Sequence, residues 1–360
     1  MKAAVLDGIG SKFEVREVEL DKPKSGELLV KVAASGLCAS DLNAVDGKRK
    51  LVPFPAVIGH EAAGVIVEVG ADVKGFSVGD HVIMSIVPSC GTCEYCASGR
   101  PNYCATAGNA MSVGGLFDGT SRLSQNGEKL NHFLTVASFA EYVVVPASGA
   151  VVIPDEMPLD RAALISCAVL TGYGAVMNTA KVKPGSTVAI FGCGGVGLNI
   201  VQGARMAGAT TIIAVDVTQE KLDLAKKVGA THVINGATSD PVAMVKEICG
   251  GVDYAFEALG RESTIQQAWG TVGVDGTLIL VGLMKNGATI TLDAGPFVNE
   301  QSIKGCYFGS ANLRKDVPAL VKSYLNGELF LDELISERIG LEGLNSAFDR
   351  LRAGEGARNV

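Results

Sequence analysis

The sequence predicts an α/β protein in two parts, a β-rich domain from its first half and a doubly wound parallel sheet from its second. Three observations carry this. From Lys181 onward, short apolar runs alternate with amphipathic segments, the signature of parallel strands joined by helices. Inside that alternation, Val188 to Asp216 reads as strand, glycine turn, helix, strand and acid. A chain of 360 residues also exceeds the size at which one core usually stops growing, so two domains are expected.

Composition bounds the rest. With 48% apolar and 19% charged residues the chain has an ordinary globular composition, and a net charge of −7 without any run of Lys or Arg argues against a broad nucleic-acid surface. The N-terminus MKAAVLDGIGSKFEV lacks the continuous apolar core of a signal peptide. The most apolar stretch, Ala162 to Val176, is too short and too interrupted to span a bilayer. A cytoplasmic protein with no membrane partner is expected. In a reducing compartment, clusters among its nine cysteines point to metal ligands or catalytic groups rather than disulfides.

In chain order, residues 1 to 37 read as short strands separated by polar turns. Cys38 follows where the run LLVKVAA stops, and Ser40 or Asp41 is placed to cap a short helix. His60 and Glu61 lie between a proline-bounded segment and a β-like run, with Gly59 and Gly64 freeing the backbone beside them. His81, next to Asp80, reads as an ordinary strand or turn histidine.

Cys90, Cys93, Cys96 and Cys104 then give C-x2-C-x2-C-x7-C in a segment with little apolar content. Four thiolates there pack poorly as hydrophobes but can close a tetrahedral zinc site whose binding energy folds the loop. With four protein ligands no position stays open for catalysis. A ferredoxin-type cluster also uses close cysteines, although the bacterial run is tighter and ends in Cys-Pro.

Residues 105 to 138 read as a long loop rich in turn formers, in which His132 is either structural or pocket-lining. FAEYVVV closes the first domain as a strand, and a helix containing Cys167 begins near Asp160. Residues 308 to 360 are too few for a third domain and are expected to complete the first. The domains are thus expected at 1–168 with 308–360, and at 169–307.

The glycine segment is the most specific signal. Gly192, Gly194 and Gly197 stand in G-x-G-x-x-G spacing after an apolar run. The first permits a tight turn, the second (with Gly195 beside it) lets a pyrophosphate approach the backbone, and the third lets helix and strand pack closely. N–H groups freed at the helix start face the phosphates. Asp216, nineteen residues after Gly197, stands near the usual distance of about 20 for an acid that binds the ribose hydroxyls. Its carboxylate repels a 2′-phosphate, so NAD is favoured over NADP.

Cys38, His60 and Cys167 are too far apart for spacing to unite them. Two cysteines and a histidine are nonetheless the ligand set that leaves an open fourth position on zinc. Read singly, Cys167 also fits a buried helix residue and His60 a satisfied strand histidine.

Taken together, Gly59-His60-Glu61-Ala62-Ala63-Gly64 with Gly70, Cys38-Ala39-Ser40-Asp41, Cys167 in SCAVLTGYGA, the four-cysteine loop and the glycine fingerprint resemble the zinc-dependent medium-chain alcohol dehydrogenases over nearly the whole chain. That resemblance implies a GroES-like catalytic domain carrying one catalytic and one structural zinc, followed by a Rossmann domain for NAD. It implies that Cys38, His60 and Cys167 hold the catalytic zinc, that Glu61 behind it exchanges as a ligand, that Asp41 orients His60, and that Ser40 bonds the reacting oxygen. At the position of a proton-relaying histidine this chain has Asn43, which cannot titrate, so the proton is expected to leave through water. Lys221 matches a residue near the adenosine ribose and Arg358 one near the pyrophosphate. Arg261 is a further cofactor contact, while Thr171, Val196 and the Val281 to Leu283 backbone match positions against the nicotinamide. Cys193, Cys249 and Cys306 are expected to pack.

By the same resemblance Ile86, Phe133, Leu134, Leu283 and Tyr307 wall an apolar pocket for aliphatic, allylic or aromatic primary alcohols and their aldehydes. An added methylene there changes discrimination by only about 1–3 kcal/mol, which implies broad specificity. Gly115 to Val145 resembles the longer animal and plant enzymes, including the glutathione-dependent formaldehyde branch. That branch has an arginine where this chain has Gly108, which argues against glutathione adducts. A zinc-free quinone or enoyl reductase would lack the ligand cysteines, whereas a non-catalytic redox sensor would keep both sites without turnover. A homodimer or homotetramer is expected, with GATITLDAGPFVNEQSIKGCYFG carrying an edge strand.

Overall fold

The valine-rich runs of the first half, bounded by glycine and proline, suit a pleated and largely buried surface. They form a five-stranded antiparallel sheet in the order Tyr142–Pro146, Glu27–Gly36, Glu61–Val69, His81–Met84, Ala150–Ile153. Pairing of Glu27–Gly36 with Glu61–Val69 slips at Leu29/Val30 and again at Val32/Ala34. Such bulges re-aim a strand end, and here the strand runs on toward Cys38. A six-stranded mixed sheet holds Lys2–Leu6 and the hairpin Leu123–Gln125/Glu128–His132.

The structure, a computed structural model describing residues 1–360, divides into two units. The first comprises Met1–Cys167, Asn312–Gly327 and Ile335–Val360, and the second Ala168–Ala311 and Glu328–Leu334. Two expectations need correction. Residues 308–311 and 328–334 belong to the second unit rather than the first, the latter because Gln202 holds the backbone N–H and carbonyl of Phe330 at 2.7 and 3.0 Å and Arg205 lies over its ring at 5.0 Å. Residues 105–138 are not a structureless loop either. They contain the helix Ala105–Ser112 and the hairpin above, anchored by Arg122, whose guanidinium is 1% exposed and paired with Glu27 and Asp118.

In the second unit six parallel strands run His232–Asn235, Thr211–Asp216, Thr187–Phe191, Val252–Glu257, Val272–Leu280, Ser302–Gly305. Numbered along the chain this is 3-2-1-4-5-6, which places a crevice at the carboxyl ends of the two central strands, where the order reverses. Phe191, Ile213, Phe256-flanking Ala255, Trp269 and Leu278 fill the core beneath. The edge strand foreseen in GATITLDAGPFVNEQSIKGCYFG is only Ser302–Gly305; residues 288–294 form no strand.

Residues Leu159–Ala180 form one continuous 22-residue helix, longer than the sequence suggested. It is apolar enough to pass the length and composition test for a membrane span, but 78% of its apolar window is buried inside the protein, as in a core helix. Its hydrogen-bonding widens to the π pattern over Ile165–Val169, around Cys167. Such local widening is frequent at functional sites.

Candidate functional site

Cys38 caps the short helix Ala39–Val45 at the end of strand Glu27–Gly36. Asp41, in that helix's first turn, reaches back with Oδ2 to accept the Cys38 N–H at 2.8 Å, which fixes the cysteine's backbone. Its other oxygen lies 2.8 Å from His60 Nδ1. Nδ1 is thus engaged by Asp41, which leaves Nε2, buried without a hydrogen-bond partner, as the nitrogen a metal would take.

Gly59, just before His60, has φ +90°, a left-handed conformation, and a Cβ there would lie 2.5 Å from the Phe139 ring. Only glycine fits this turn, which delivers His60 and Glu61 to the start of strand Glu61–Val69.

Asp41, His60 and Glu61 are all 0% exposed, and Cys38 and Cys167 are buried beside them. The donor atoms of Cys38, His60, Glu61 and Cys167 lie within 4.8 Å of one another. His60 Nε2 and Glu61 Oε2 are buried without a hydrogen-bond partner. Two sulfurs, a bare imidazole nitrogen and an orphaned carboxylate oxygen converging in a buried place form the donor set of a zinc site with one exchangeable position, and these residues fit the metal.

A hydrogen bond from Cys167 holds the Cys38 thiol well below its ordinary value, with help from Arg358 and His60, and the same bond pushes Cys167 well above its own. A cation held by both cysteines would take the place of that proton. Burial lowers His60, but the Asp41 carboxylate outweighs it and the net shift is upward. Burial raises the Glu61 carboxyl to about 8 against the pull of Arg358.

Arg358, for which a pyrophosphate contact is expected, pairs with Glu61 behind this centre. Its guanidinium donates to Glu61 Oε1 at 2.9 Å and to the Leu37 carbonyl at 2.6 Å, leaving only Nε without a partner. Ser40 Oγ lies 3.8 Å from Cys38 Sγ, and Asn43 follows on the same helix. The Phe133 ring packs edge-on against the His60 imidazole with centroids 5.7 Å apart and is fully buried; Leu134 and Ile86 are each 8% exposed. His132 is 0% exposed, with neither ring nitrogen hydrogen-bonded.

The sulfurs of Cys90, Cys93, Cys96 and Cys104 also gather within 4.8 Å of one another. The N–H groups of Cys90 and Cys93 point at Cys104 and Cys90 sulfurs, each at 3.3 Å. Hydrogen bonds from Thr106 and the loop backbone pull Cys90 down to about 5, while burial pushes Cys96 up to about 12. A four-residue helix, a 3₁₀ turn, the Tyr95–Tyr103 ring contact and the Arg100 guanidinium over the Tyr95 ring brace this loop. The four thiolates suit a closed structural zinc.

In the second unit the helix Gly195–Met206 starts straight after Gly194, at whose Cβ position there is open space. A Cβ on Gly197 would sit 1.7 Å from the Gly192 carbonyl oxygen, so strand and helix pack as the fingerprint requires. Asp216, ending strand Thr211–Asp216, accepts the Cys193 N–H on one oxygen at 2.7 Å and the Val217 and Thr218 N–H groups on the other at 2.8 and 3.0 Å. The glycine loop is thereby tied to the acid, and the open cradle over Gly194 fits a dinucleotide pyrophosphate. Thr171, Val196 and Lys221 are half-buried, Val281 is buried, and Arg261 and Leu283 are exposed at the carboxyl side of this sheet. Tyr307 is 38% exposed. Cys193 is fully buried, with its thiol raised by burial, whereas Cys249 and Cys306 are half-buried.

An alcohol dehydrogenase GroES-like domain family matches residues 24–155, and a zinc-binding dehydrogenase family matches residues 195–326. The chain is 40% identical to an NDMA-dependent alcohol dehydrogenase of Amycolatopsis methanolica, covering 100% of this chain and 98% of that protein. It is 37% identical to an S-(hydroxymethyl)glutathione dehydrogenase of Paracoccus denitrificans, with coverage of 100% and 98%. Its fold superposes on the benzyl alcohol dehydrogenase of Acinetobacter calcoaceticus with a TM-score of 0.94 at 36% identity, covering 99% and 98% of the two chains.

Proposed function

Because the chain belongs to the zinc-dependent medium-chain alcohol dehydrogenase family, we propose that it interconverts apolar primary alcohols and aldehydes using NAD. The observation that carries this reading is the convergence of Cys38, His60, Glu61 and Cys167 with His60 Nε2 left bare.

Zinc, when bound, supplies a Lewis acid that acidifies a hydroxyl or polarises a carbonyl, and NAD supplies the hydride acceptor. Cys38 and Cys167 would hold the metal as thiolates and His60 would do so through Nε2, while Asp41 fixes its ring. Glu61 stands by as an exchangeable donor, its position kept by Arg358. Ser40 Oγ accepts the hydroxyl proton as it hands on its own, and because Asn43 has no titratable group that released proton passes to water. Phe133, Leu134 and Ile86 keep the alcohol's carbon chain out of water, which supports hexanol, geraniol or benzyl alcohol over polar polyols. Gly108, exposed with nothing within 4 Å of its Cβ position, offers no cation for a glutathione carboxylate. Asp216 binds the ribose hydroxyls and sets the preference for NAD. The edge strand Ser302–Gly305 supports a homo-oligomer.

The test is NADH formation with ethanol, hexanol, geraniol and benzyl alcohol, at enzyme concentrations high enough for one turnover of a retained cofactor to register. Turnover that favours the apolar alcohols and NAD over NADP supports the proposal. No turnover of any alcohol or aldehyde by protein that holds two zincs favours a sensor.

A further inference from the structure

Glu257 ends the strand Val252–Glu257, in register with Phe191 on one side and Leu280 on the other, at the point where the strand order reverses. Its side chain is 0% exposed. Oε1 accepts the N–H of Leu259 at 3.0 Å, the N–H of Gly260 at 2.9 Å and the Thr264 hydroxyl at 2.6 Å, while Oε2 lies 3.0 Å from the same Gly260 N–H. Thr264 is in the first turn of helix Glu262–Thr271, whose N-terminal dipole also favours an anion. The Glu257 backbone carbonyl accepts the N–H groups of Val281 and Gly282, at 2.9 and 2.8 Å.

One residue thus gathers two loops, 258–261 and 281–283. They are tightly seated against each other: a Cβ on Gly260 would lie 2.5 Å from the Leu283 carbonyl, and one on Gly282 would lie 2.1 Å from the Gly260 nitrogen and 2.7 Å from Glu257 Oε2. The first loop also reaches the glycine fingerprint. Ala258 donates its N–H to the Phe191 carbonyl at 2.9 Å, and the Leu259 side chain covers Gly192 so closely that a Cβ there would meet Leu259 Cγ at 2.6 Å.

We infer that Glu257 is a positioning residue for the dinucleotide, holding the 258–261 and 281–283 loops in their receiving conformation before the cofactor arrives. An acceptor-only carboxylate suits this place, since two N–H groups and a hydroxyl all point at it and an amide would turn its own N–H₂ against one of them. Loops already ordered spend less conformational entropy when the ligand binds. The inference rests on reading the second unit as the NAD-binding unit.

Glu257→Gln is tested by NADH fluorescence titration and by amide hydrogen exchange on the full chain. The expected result is a Kd for NADH raised about tenfold, with faster exchange at Leu259, Gly260, Val281 and Gly282 and unchanged exchange in Thr187–Phe191. Unchanged NADH affinity, or exchange that quickens evenly through the whole unit, overturns the positioning role while leaving the NAD reading intact. Failure of the unmutated protein to bind NADH overturns both. Should the Gln variant not fold, Thr264→Val removes one donor and keeps the carboxylate; a smaller loss of NADH affinity with faster exchange at Gly260 is expected, and no change in either overturns the inference.

Discussion

Asp41 Oδ1 and His60 Nδ1 lie 2.8 Å apart with both side chains wholly buried, and the opposite ring nitrogen, Nε2, has no partner. The carboxylate therefore decides which imidazole nitrogen is free to bind a metal, and the same carboxylate anchors the backbone of Cys38. Partners of this kind are worth about 10–100-fold in metal affinity. Asp41→Asn is expected to weaken zinc at the Cys38–His60–Cys167 centre by about that factor while zinc at the four-cysteine loop is retained. Competition with a chelator, followed by metal analysis, reads both sites; equal loss from both, or no loss, contradicts the assignment.

The four-cysteine loop is mostly polar, and its fold is expected to depend on the metal. Cys93→Ser is expected to release that zinc, expose residues 90–104 to limited proteolysis and lower Tm by about 5 °C, corresponding to a loss of about 2 kcal/mol. NADH binding by the second unit should survive. A protease-resistant loop after zinc loss would show that the tyrosine contact and short helices suffice.

Asn43 leaves the proton path without a titrating side chain. Asn43→His is expected to add a group of pKa about 6.5, so that alcohol oxidation gains a rise in kcat/KM with pH through that region as the new imidazole becomes neutral. An unchanged pH profile means that no proton passes position 43.

His132 gives the fold an acid-sensitive element. Burial lowers its pKa to about 3 from 6.5, with Arg122 and Lys129 acting in the same direction. The fold holds it neutral, so its contribution is complete above pH 6.5 and is lost as pH falls from there toward 3, at about 1.4 kcal/mol per pH unit. Denaturant unfolding between pH 6 and 4 should show His132→Leu losing stability less steeply than the parent by about that slope. Parallel curves would mean that the ring is already relieved by water.

What could be read from the sequence was what lies close together in it. The glycine fingerprint with Asp216, and the cysteines 90 to 104, declare themselves because a turn or a loop brings their residues together directly. Cys38, His60 and Cys167 are united only by the fold, and resemblance to a family, rather than spacing, was what joined them. The Arg358–Glu61 pair spans 297 residues and leaves no local trace in the sequence. Ala105–Ser112 is a helix of small residues with weak periodicity, and it read as loop because its order comes from its surroundings. Glu257 is an acid ending an apolar strand beside the fingerprint, a signal that was present but has no motif of its own.

The most direct test of the account is benzyl alcohol turnover with NAD by enzyme stripped of metal, recorded as zinc is titrated back. The account predicts no turnover by the stripped protein and activity that returns in step with filling of the Cys38–His60–Cys167 centre. Undiminished turnover without metal, or a refilled centre with no hydride transfer, would contradict it.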